Sequence, residues 1–381
     1  MFKKIAVDER VGFLNNCLGI INLDENERRM GELVRHRTLA SVPISGRYRV
    51  IDFAISNMAN SGIEGIGIFT KNKSRSLINH LTNGRPWDLH RKKDGLRVFN
   101  FGNYEPEYDD VHNFADNIEF IKNSRREYIL LAPSYMVCNI DYNDLIKNHI
   151  KNNNDITVVY KSVDNADKSF IDCEALNINE VDRVISIGEN IGREKEANIN
   201  MEMYIMKTDL FINIVYDCIK SGVYRKIREY ISRNLNDLKV GAFEFKGYLA
   251  CINSIKAYFD ANMDLLNQDI NKELFYDKNP IYTKSQDEAP TQYTEISNVV
   301  NSIVANGSYI EGTVKNCIIG RRVRVGKGTV LENCIIMQNS VIEENVGMTK
   351  VIADKGTIVN ENQNINGTEN YPVTIQKRKA I

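Results

Sequence analysis

Three acidic side chains, Asp24, Glu25 and Glu27, stand where a nucleotide-binding domain would carry its phosphate-binding turn. They directly follow an apolar run at 17–23 that predicts a first β-strand. In parallel α/β domains the turn after the first strand is rich in glycine, because backbone N–H groups must approach the phosphate oxygens. Carboxylates would instead repel a triphosphate by several kcal/mol at short range. We therefore predict that this turn does not hold a nucleotide.

The elements around the turn predict a parallel α/β domain, because apolar strands alternate with amphipathic helices up to about residue 280. Residues 42–57 lead into a helix that ends near Gly62, and the run at 66–69 predicts a second strand. Further strands are predicted at 128–132 and 156–160, and helices at 144–151, 210–220 and 254–267. This order is typical of a Rossmann-like domain.

Beyond residue 295, aliphatic residues recur at every sixth position, as at Ile319, Val325 and Leu331 and again at Ile336 and Ile342. This spacing is typical of the hexapeptide repeats of a left-handed parallel β-helix. Gly320 and Gly326 are expected at tight corners that need a positive φ. A sandwich of short strands is the alternative. We predict an α/β domain at 1–280, a linker at 281–295 and a β-helix at 296–381.

The bulk composition excludes several classes of function. The 49 basic and 50 acidic residues nearly balance, so no nucleic-acid-binding surface is expected. No run approaches the roughly 18 apolar residues that span a bilayer, so no membrane partner is expected. The N-terminal residues include Asp8, Glu9 and Arg10 instead of the apolar core of a secretory signal. The seven scattered cysteines indicate reduced thiols in a cytoplasmic protein.

One motif at residues 45–57 reads Ser-Gly-Arg-Tyr-Arg-Val-Ile-Asp-Phe-Ala-Ile-Ser-Asn. Shorter motifs along the chain are Asn60-Ser61-Gly62-Ile63, Gly84-Arg85-Pro86-Trp87, Asn139-Ile140-Asp141-Tyr142 and Pro280-Ile281-Tyr282-Thr283. Together with the repeats, these motifs resemble the glucose-1-phosphate adenylyltransferase (ADP-glucose pyrophosphorylase) family over nearly the whole chain. The resemblance implies a nucleotidyltransferase-like domain with a mixed, mostly parallel sheet, followed by a β-helix. Family enzymes make ADP-glucose and diphosphate from ATP and glucose 1-phosphate.

The chain departs from the catalytic members of this family where they handle phosphate and magnesium. The family's glycine loop has become acidic, a lysine is missing, and both regions that supply magnesium carboxylates have changed. The replaced positions are, in chain order, Asp24, Glu25, Glu27, Leu39, Tyr135 and Cys251. Of the glycine loop's functional residues only Arg29 is kept. The resemblance thus implies a degenerate active site, with no catalytic residue, metal or cofactor in this chain.

This pattern resembles the GlgD-type subunits of the family, which pair with a catalytic homologue in bacterial glycogen biosynthesis. The resemblance implies a non-catalytic or very weakly active regulatory subunit, in a mixed tetramer whose catalytic partner binds the magnesium. Arg37, Arg49 and Ser76 align with family positions that bind small anionic effectors between the two domains. A retained effector site at these residues is therefore an expectation.

Two alternative functions stay open at the level of the sequence. The first is an active adenylyltransferase that rebuilt its metal site from Asp109, Asp110 or Asp141. The second is a scaffold protein without a kinetic effect. Acyl transfer by the β-helix is excluded because all five histidines precede it. The basic tract at 321–324 is interpreted either as a solvated edge or as an anion site between subunits.

Overall fold

The structure, a computed structural model, describes residues 13–71, 73–100, 109–377 and 380. An α/β part comes first, and a stack of parallel β-coils follows it. The strands of the α/β part are β1 (Cys17–Asn22), β2 (Pro43–Ile44), β3 (Tyr48–Arg49), β4 (Gly65–Thr70), β5 (Gly95–Asn100), β6 (Tyr128–Ala132), β7 (Met136–Val137), β8 (Ile156–Val163), β9 (Glu174–Ile178), β10 (Val184–Glu189), β11 (Ala197–Lys207), β12 (Val240–Glu244) and β13 (Ala250–Cys251).

Nine α-helices and four short 3₁₀ helices accompany these strands in the described residues. The α-helices are α1 (Val50–Asn60), α2 (Arg75–Leu81), α3 (Asp110–Asp116), α4 (Ile118–Ser124), α5 (Asn143–Asn152), α6 (Thr208–Ser221), α7 (Ile227–Arg233), α8 (Ile255–Asp264) and α9 (Gln268–Phe275). The 3₁₀ helices are Phe13–Asn16, Arg28–Val34, Leu39–Ser41 and Arg85–Trp87. Among the described residues, no helix is long and apolar enough to cross a membrane.

The main sheet has the order β10-β9-β11-β6-β1-β4-β5, and β8 joins it by pairing with β11 and β12. Strands β6, β1, β4 and β5 are parallel to one another, whereas β11 runs antiparallel to β6 and β8. The predicted α/β fold with a mixed sheet is therefore confirmed. The carboxyl ends of β6, β1 and β4 meet at one edge, where open α/β sheets place their ligands.

Both faces of this sheet are buried, which explains why its central strands are continuous apolar runs. In β1, Cys17 and Ile21 pack into the core cluster that contains Phe53 of α1. Leu18 and Ile20 point to the opposite face and pack into a second cluster with helices α3 and α6. The alternation along one strand thus fixes which helices lie above and below the site.

The helix predicted at 254–267 is confirmed as α8, which ends three residues earlier, at Asp264. Asn267 then caps a further helix, α9, because its side-chain oxygen accepts a hydrogen bond from the N–H of Asp269 at 2.9 Å. An N-cap of this kind begins a new helix. The sequence analysis did not predict α9.

The C-terminal part forms three parallel sheets of five strands each. The strands of successive coils are β14 (Gln292–Tyr293), β15 (Asn298–Val300), β16 (Ile303–Val304), β17 (Tyr309–Ile310), β18 (Thr313–Lys315), β19 (Ile318–Ile319), β20 (Arg324–Val325), β21 (Val330–Glu332), β22 (Ile335–Ile336), β23 (Val341–Ile342), β24 (Gly347–Thr349), β25 (Val351–Ala353), β26 (Ile358–Val359), β27 (Asn364–Asn366) and β28 (Val373–Ile375). This arrangement confirms the predicted parallel β-helix.

The aliphatic residues of the six-residue pattern lie inside the coils, in one cluster that holds Ile319, Val325, Leu331, Ile336 and Ile342. The reason given for the two glycines was wrong, because neither has a positive φ. A Cβ at Gly320 would instead lie 2.6 Å from the N of Gln338, and one at Gly326 would lie 2.8 Å from the backbone of Glu343. Close stacking of the next coil therefore selects glycine here. The corners with positive φ are mostly asparagines, such as Asn316, Asn333 and Asn345.

One side of the β-helix packs against the α/β part. The buried cluster around α1 also contains Ile318, Ile335 and Ile352 of strands β19, β22 and β25, and Met337, which directly follows β22. We call this contact between the α/β part and the β-helix the joint. Arg37 also forms a buried ion pair with Asp354 across it. The joint is therefore a packed core with charges inside it, and it holds the second group of residues that the sequence singled out.

Candidate functional site

The acidic turn lies at the carboxyl ends of β6, β1 and β4. Asp24 forms an ion pair with Lys71, just after β4, at 2.6 Å and a second one with Lys226 at 2.8 Å. Burial by itself raises the pKa of Asp24, but Lys226 and then Lys71 more than offset this and lower that pKa overall. The carboxylate is thus ionised, and it is shared by two lysines that would otherwise face the turn.

Glu25 is held by the segment that follows β6. Its Oε1 accepts hydrogen bonds from the backbone N–H of Ser134 at 2.8 Å and from the Ser134 hydroxyl at 2.6 Å. Burial raises the pKa of Glu25 to about 8, although the Ser134 hydrogen bonds work in the opposite direction. Glu25 therefore occupies a backbone N–H and a hydroxyl, which are both donors of the kind that bind phosphate oxygens.

Glu27 contacts the segment that follows the acidic turn and the segment that follows β4. It accepts a hydrogen bond from the backbone N–H of Leu39 at 2.7 Å, and its other oxygen lies 3.8 Å from the ammonium of Lys73. Burial raises the pKa of this carboxyl group above its ordinary value. The side chain of Leu39 is fully buried and supplies no charge in place of the family's lysine. All three acidic residues of the turn thus have donor partners within the chain.

Tyr135 belongs to a buried network of hydrogen bonds and charges. Its hydroxyl donates to Glu202 at 2.7 Å, and Arg228 contacts the same carboxylate at 2.6 Å. Burial, followed by the charge of Glu202, raises the pKa of the Tyr135 phenol well above its ordinary value. Burial and Glu202 also raise the pKa of the neighbouring Glu174 to about 7. The phenol is neutral and donates its proton, which is the opposite of a metal-binding carboxylate.

Cys251 lies in β13, and its Sγ is 3.2 Å from the Sγ of Cys173. Both thiols are free and buried. Burial raises the pKa of Cys251 well above its ordinary value, and the hydrogen bond with Cys173 adds to the effect. Because a thiol binds metal ions as its thiolate, this neutral group does not suit a magnesium site, and magnesium also prefers oxygen ligands.

The structure brings three of the replaced positions together around one cavity of about 560 Å³, which Glu25, Leu39 and Tyr135 line. Cys251 lines a larger neighbouring cavity of about 980 Å³. Arg29 borders both cavities and pairs with the half-exposed Asp172. Neither cavity includes Glu27 in its wall. Cavities of small-molecule size therefore lie beside the acidic turn.

The alternative metal ligands do not come together. Asp109 accepts hydrogen bonds from the backbone N–H of His112 at 3.0 Å and from its ring at 2.7 Å, and so caps α3. Burial, with the charge of Asp24 second, raises the pKa of Asp110 well above its ordinary value. Asp141 contacts Ser61 and Asn143, near the amino end of β4 and so at the opposite edge of the sheet. No group of three or more metal-ligating side chains is found among the described residues.

The predicted effector residues lie at the joint with the β-helix. Arg49 donates to Ser76 at 3.1 Å and also to the carbonyl of Ser41. Arg37 is buried and donates to the carbonyl of Leu33 at 2.7 Å, besides its ion pair with Asp354. Arg49 and Ser76 are thus in contact, whereas Arg37 is already paired with a carboxylate. No contact between Arg37 and the other two was found in the described part of the chain.

Burial lowers the pKa of Arg49 to about 10, and the nearby Arg37 and Arg321 lower it further against the influence of Asp52. Asp52 serves the helix start, since it accepts the backbone N–H of Arg49 at 2.9 Å, and it also contacts His80 at 2.6 Å. The joint therefore carries an excess of buried positive charge.

Several residues of these two regions were not predicted from the sequence. Lys355 is one, and burial together with Arg49 and Arg37 lowers its pKa to about 6. Nothing in the β-helix repeat signals that its position faces the α/β part. Lys71 could have been found, because it directly follows the second predicted strand and so must lie at the carboxyl edge beside the acidic turn.

Comparison with known proteins shows the family to which the chain belongs. A nucleotidyl transferase family model matches residues 28–268, and a model of the GlmU-like C-terminal hexapeptide matches residues 289–371. The chain is 35% identical to the glycogen biosynthesis protein GlgD of Bacillus subtilis, over 96% of this chain and 97% of that protein. It is also 35% identical to GlgD of Geobacillus stearothermophilus, over 83% of each chain.

A second kind of relative carries an enzyme's name. The glucose-1-phosphate adenylyltransferase of Mycoplasma mobile is 31% identical over 80% of this chain and 81% of that protein. The matches to both kinds of relative extend over most of both chains. The chain therefore belongs to the glucose-1-phosphate adenylyltransferase family of nucleotidyl transferases and is related within it to the GlgD glycogen biosynthesis proteins.

Proposed function

We propose that the chain is a non-catalytic subunit of ADP-glucose pyrophosphorylase, acting in bacterial glycogen biosynthesis by modulating a catalytic homologue. The observation that carries this proposal is the internal pairing of the acidic turn. Asp24, Glu25 and Glu27 occupy the lysines, N–H groups and hydroxyl that could otherwise bind the oxygens of a triphosphate. The names of the GlgD relatives support the assignment to glycogen biosynthesis.

The chemistry of the two former magnesium positions supports the same proposal. Transfer of a nucleotidyl group needs a cation to offset the charge that develops on the phosphates, and magnesium is held for this by carboxylates. Here a protonated phenol and a protonated thiol stand at these positions. The residues present do not fit magnesium, so we derive no catalytic step in this chain and assign the ion to the catalytic partner.

A chain without chemistry can act on a partner only if it binds two conformations of that partner with different affinities. The packed joint with its Arg37–Asp354 ion pair supports a mechanism of this kind, because it couples the α/β part to the β-helix. A mixed tetramer with the catalytic homologue is the proposed assembly. We include an anionic effector at Arg49 and Ser76 in the proposal, since the Arg49 guanidinium contacts Ser76, lies near Arg37 and Arg321, and forms no ion pair among the described residues.

The test is a comparison of three preparations in the assay for ADP-glucose formation from ATP, glucose 1-phosphate and magnesium. They are this chain alone, the catalytic homologue alone, and the two co-expressed. We expect no turnover by this chain and a changed kcat or KM in the mixture. Magnesium-dependent turnover by this chain alone would overturn the proposal. Kinetics in the mixture identical to those of the homologue alone would instead favour the scaffold function.

A further inference from the structure

Two cysteine thiols that the proposed function does not use lie next to each other in the α/β part. The Sγ atoms of Cys173 and Cys251 are 3.2 Å apart, although the two residues are separated by 78 positions in the chain. Both are buried, with 2% and 5% of the residue exposed. A disulfide joins its sulfur atoms at about 2 Å, so these two atoms need to approach each other by only about 1 Å. A small local movement is therefore enough to join them.

The two cysteines differ in the freedom of their backbones. Cys251 lies in β13, where it pairs with Met136 of β7. Cys173 lies outside the strands, at the end of an irregular segment at 164–173 that directly precedes β9. Since this segment belongs to no strand, the sulfur of Cys173 can move toward β13 without breaking a sheet.

Asn253 holds the irregular segment against β13. Its side-chain amide donates to the carbonyl of Ile171 at 2.7 Å and also contacts the Sγ of Cys173 at 3.7 Å. Because Asn253 follows Cys251 closely in the chain, these contacts keep the sulfur of Cys173 beside that of Cys251. The two sulfurs are thus positioned for a bond before it forms.

Cys251 is buried but borders open space. It lies in the wall of the cavity of about 980 Å³, together with Ile171 and Asn253. A cavity of this volume admits a small oxidant such as hydrogen peroxide. Burial raises the pKa of Cys251 well above its ordinary value, and because the thiolate is the reactive form, this thiol reacts only slowly with weak oxidants. The pair is therefore reduced at rest and open to a small, reactive oxidant.

A second pair of neighbouring cysteines lies inside the β-helix. The Sγ of Cys317 accepts a hydrogen bond from the backbone N–H of Cys334 at 3.3 Å, and neither residue is exposed. Both belong to the buried cluster of the coils, whose backbones are stacked by the pairing of β19 with β22. The first pair combines proximity with a cavity and an irregular segment, and the second pair offers an internal control.

We propose that Cys173 and Cys251 are a redox-sensitive pair that hydrogen peroxide converts into an intramolecular disulfide. The thiolate of Cys251 attacks one oxygen of the peroxide, the O–O bond breaks, and the products are a sulfenic acid and water. The sulfur of Cys173 then attacks the sulfur of the sulfenic acid, and the hydroxyl group leaves with the thiol proton as a second water. Two thiols and one peroxide thus give one disulfide and two waters, and a dithiol reductant reverses the reaction.

The disulfide joins the segment at 164–173 to β13 beside the border of the two cavities. Arg29 and Asn253 line both of these cavities, and Asp172, which directly precedes Cys173, pairs with Arg29. Oxidation therefore fixes the wall at this border. The inference does not depend on the proposed regulatory function, because it concerns the thiols of this chain alone.

The test is peptide mapping by mass spectrometry of the full chain, after treatment with hydrogen peroxide and blocking of the remaining thiols in denaturant. We expect a linked peptide pair that joins Cys173 to Cys251, with the other thiols blocked. Cys251→Ser should abolish this linked pair. In Cys173→Ser, dimedone should instead trap Cys251 as its sulfenic acid, because the second thiol is gone. The matched control Cys218→Ser removes a buried thiol of α6 and should form the bond as the parent does.

Thermal unfolding gives a second readout. A bond across 78 residues restricts the unfolded chain, so the oxidised parent should unfold several degrees above the reduced parent, and dithiothreitol should abolish the difference. Oxidised Cys218→Ser should gain as much as the parent, whereas Cys173→Ser and Cys251→Ser should gain nothing.

Absence of the linked peptide pair from the oxidised parent would overturn the proposal, and this measurement stands even if neither cysteine variant folds. Equal formation of a bond between Cys317 and Cys334 would also overturn it, because that result indicates oxidation of an unfolded chain. A disulfide between Cys173 and Cys251 that lowered the unfolding temperature would do the same, since the bond would then form only in a distorted structure.

Discussion

Two regions of this molecule handle anionic and cationic groups in opposite ways. At the carboxyl ends of the central strands, each carboxylate of the acidic turn has partners within the chain, such as the two lysines around Asp24. At the joint between the domains, Arg321 is buried without a counter-ion in the described residues, and Lys355 lies among other cations. The carboxylates of the first region are paired within the chain, whereas the second region contains a buried guanidinium that has no ion pair among the described residues. The two regions therefore differ in how their charges are balanced.

The largest expected effect comes from breaking the buried ion pair at the joint. Asp354→Asn removes the carboxylate beside Arg37, and both side chains are about 95% buried. Because the guanidinium would be left unpaired, the free energy of unfolding should fall by about 3–5 kcal/mol. Urea unfolding followed by circular dichroism measures this change.

The matched control for this prediction is Asp144→Asn. Asp144 pairs with Lys147 at 3.2 Å, but both side chains are largely exposed. Its removal should cost less than about 1 kcal/mol. Equal losses in the two variants would show that the joint is solvated, and the contrast between the two regions would not hold.

A smaller effect is expected from opening the acidic turn. Asp24→Asn leaves Lys71 and Lys226 without their shared carboxylate, at a cost of about 2 kcal/mol because the three side chains are only partly buried. Inorganic pyrophosphate should then bind the freed lysines and raise the unfolding temperature of the variant, but not that of the parent chain. Differential scanning fluorimetry with and without pyrophosphate measures both effects.

Asp110→Asn is the control at the same edge of the sheet. Asp110 accepts a hydrogen bond from Asn22 at 3.2 Å, burial raises its pKa well above the ordinary value, and among the described residues it forms no ion pair with Lys71 or Lys226. Its replacement should therefore create no response to pyrophosphate. If the parent chain were stabilised by pyrophosphate as strongly as Asp24→Asn, the turn could not be regarded as closed by its own carboxylates.

The two regions should also differ in the sign of their pH dependence. Folded Glu25 keeps its proton up to a pKa of about 8, against an ordinary value of 4.5. Its contribution to stability is complete below about pH 4.5 and is lost as the pH rises to 8. Lys355 has a pKa of about 6 against an ordinary 10.5, so the unfolded chain binds the extra proton between these values. Stability from this group therefore rises with pH in that window.

Urea unfolding at several pH values between 5 and 9 separates the two contributions. Glu25→Gln should remove a downward slope with pH, so that the variant gains stability relative to the parent as the pH rises from 5 to 8. Lys355→Met should remove an upward slope between pH 6 and 9. Both groups face other charges, Glu27 and Glu202 for the first and Arg37, Arg49, Asp354 and Lys377 for the second. Slopes of the same sign in the two variants would contradict the comparison.

The sequence predicted the elements well because their signals are local. The apolar run at 128–132 is strand β6 with the same bounds, and the six-residue repeat predicted the buried residues of the coils. The replaced positions were assigned from the order of the motifs alone, and that assignment stays a prediction. The partners of these positions could not be predicted, because Glu25 contacts Ser134 at a separation of 109 residues and Asp24 lies 202 residues from Lys226.

The contacts of the tract at 321–324 could not be predicted from the sequence either. In the sequence its three arginines look equivalent, whereas in the structure Arg321 is buried, Arg322 pairs with Glu288 and Arg324 lies over the ring of Tyr309. Which arginine turns inward depends on the segment between the domains packing against the first coils. No pattern within the repeat records that packing.

The smallest expected effect on stability belongs to Arg29, the residue of the former glycine loop that is kept. It pairs with Asp172, and because both side chains are about 40% exposed, Arg29→Gln should cost less than about 1 kcal/mol. Its position at the border of both large cavities makes it useful in the co-expressed assembly. We expect the kinetics of the mixture to stay unchanged, because the acidic turn has already closed this region to phosphates. A change in the kcat or KM of the mixture, with stability intact, would mean that the region still binds a ligand or the partner through Arg29.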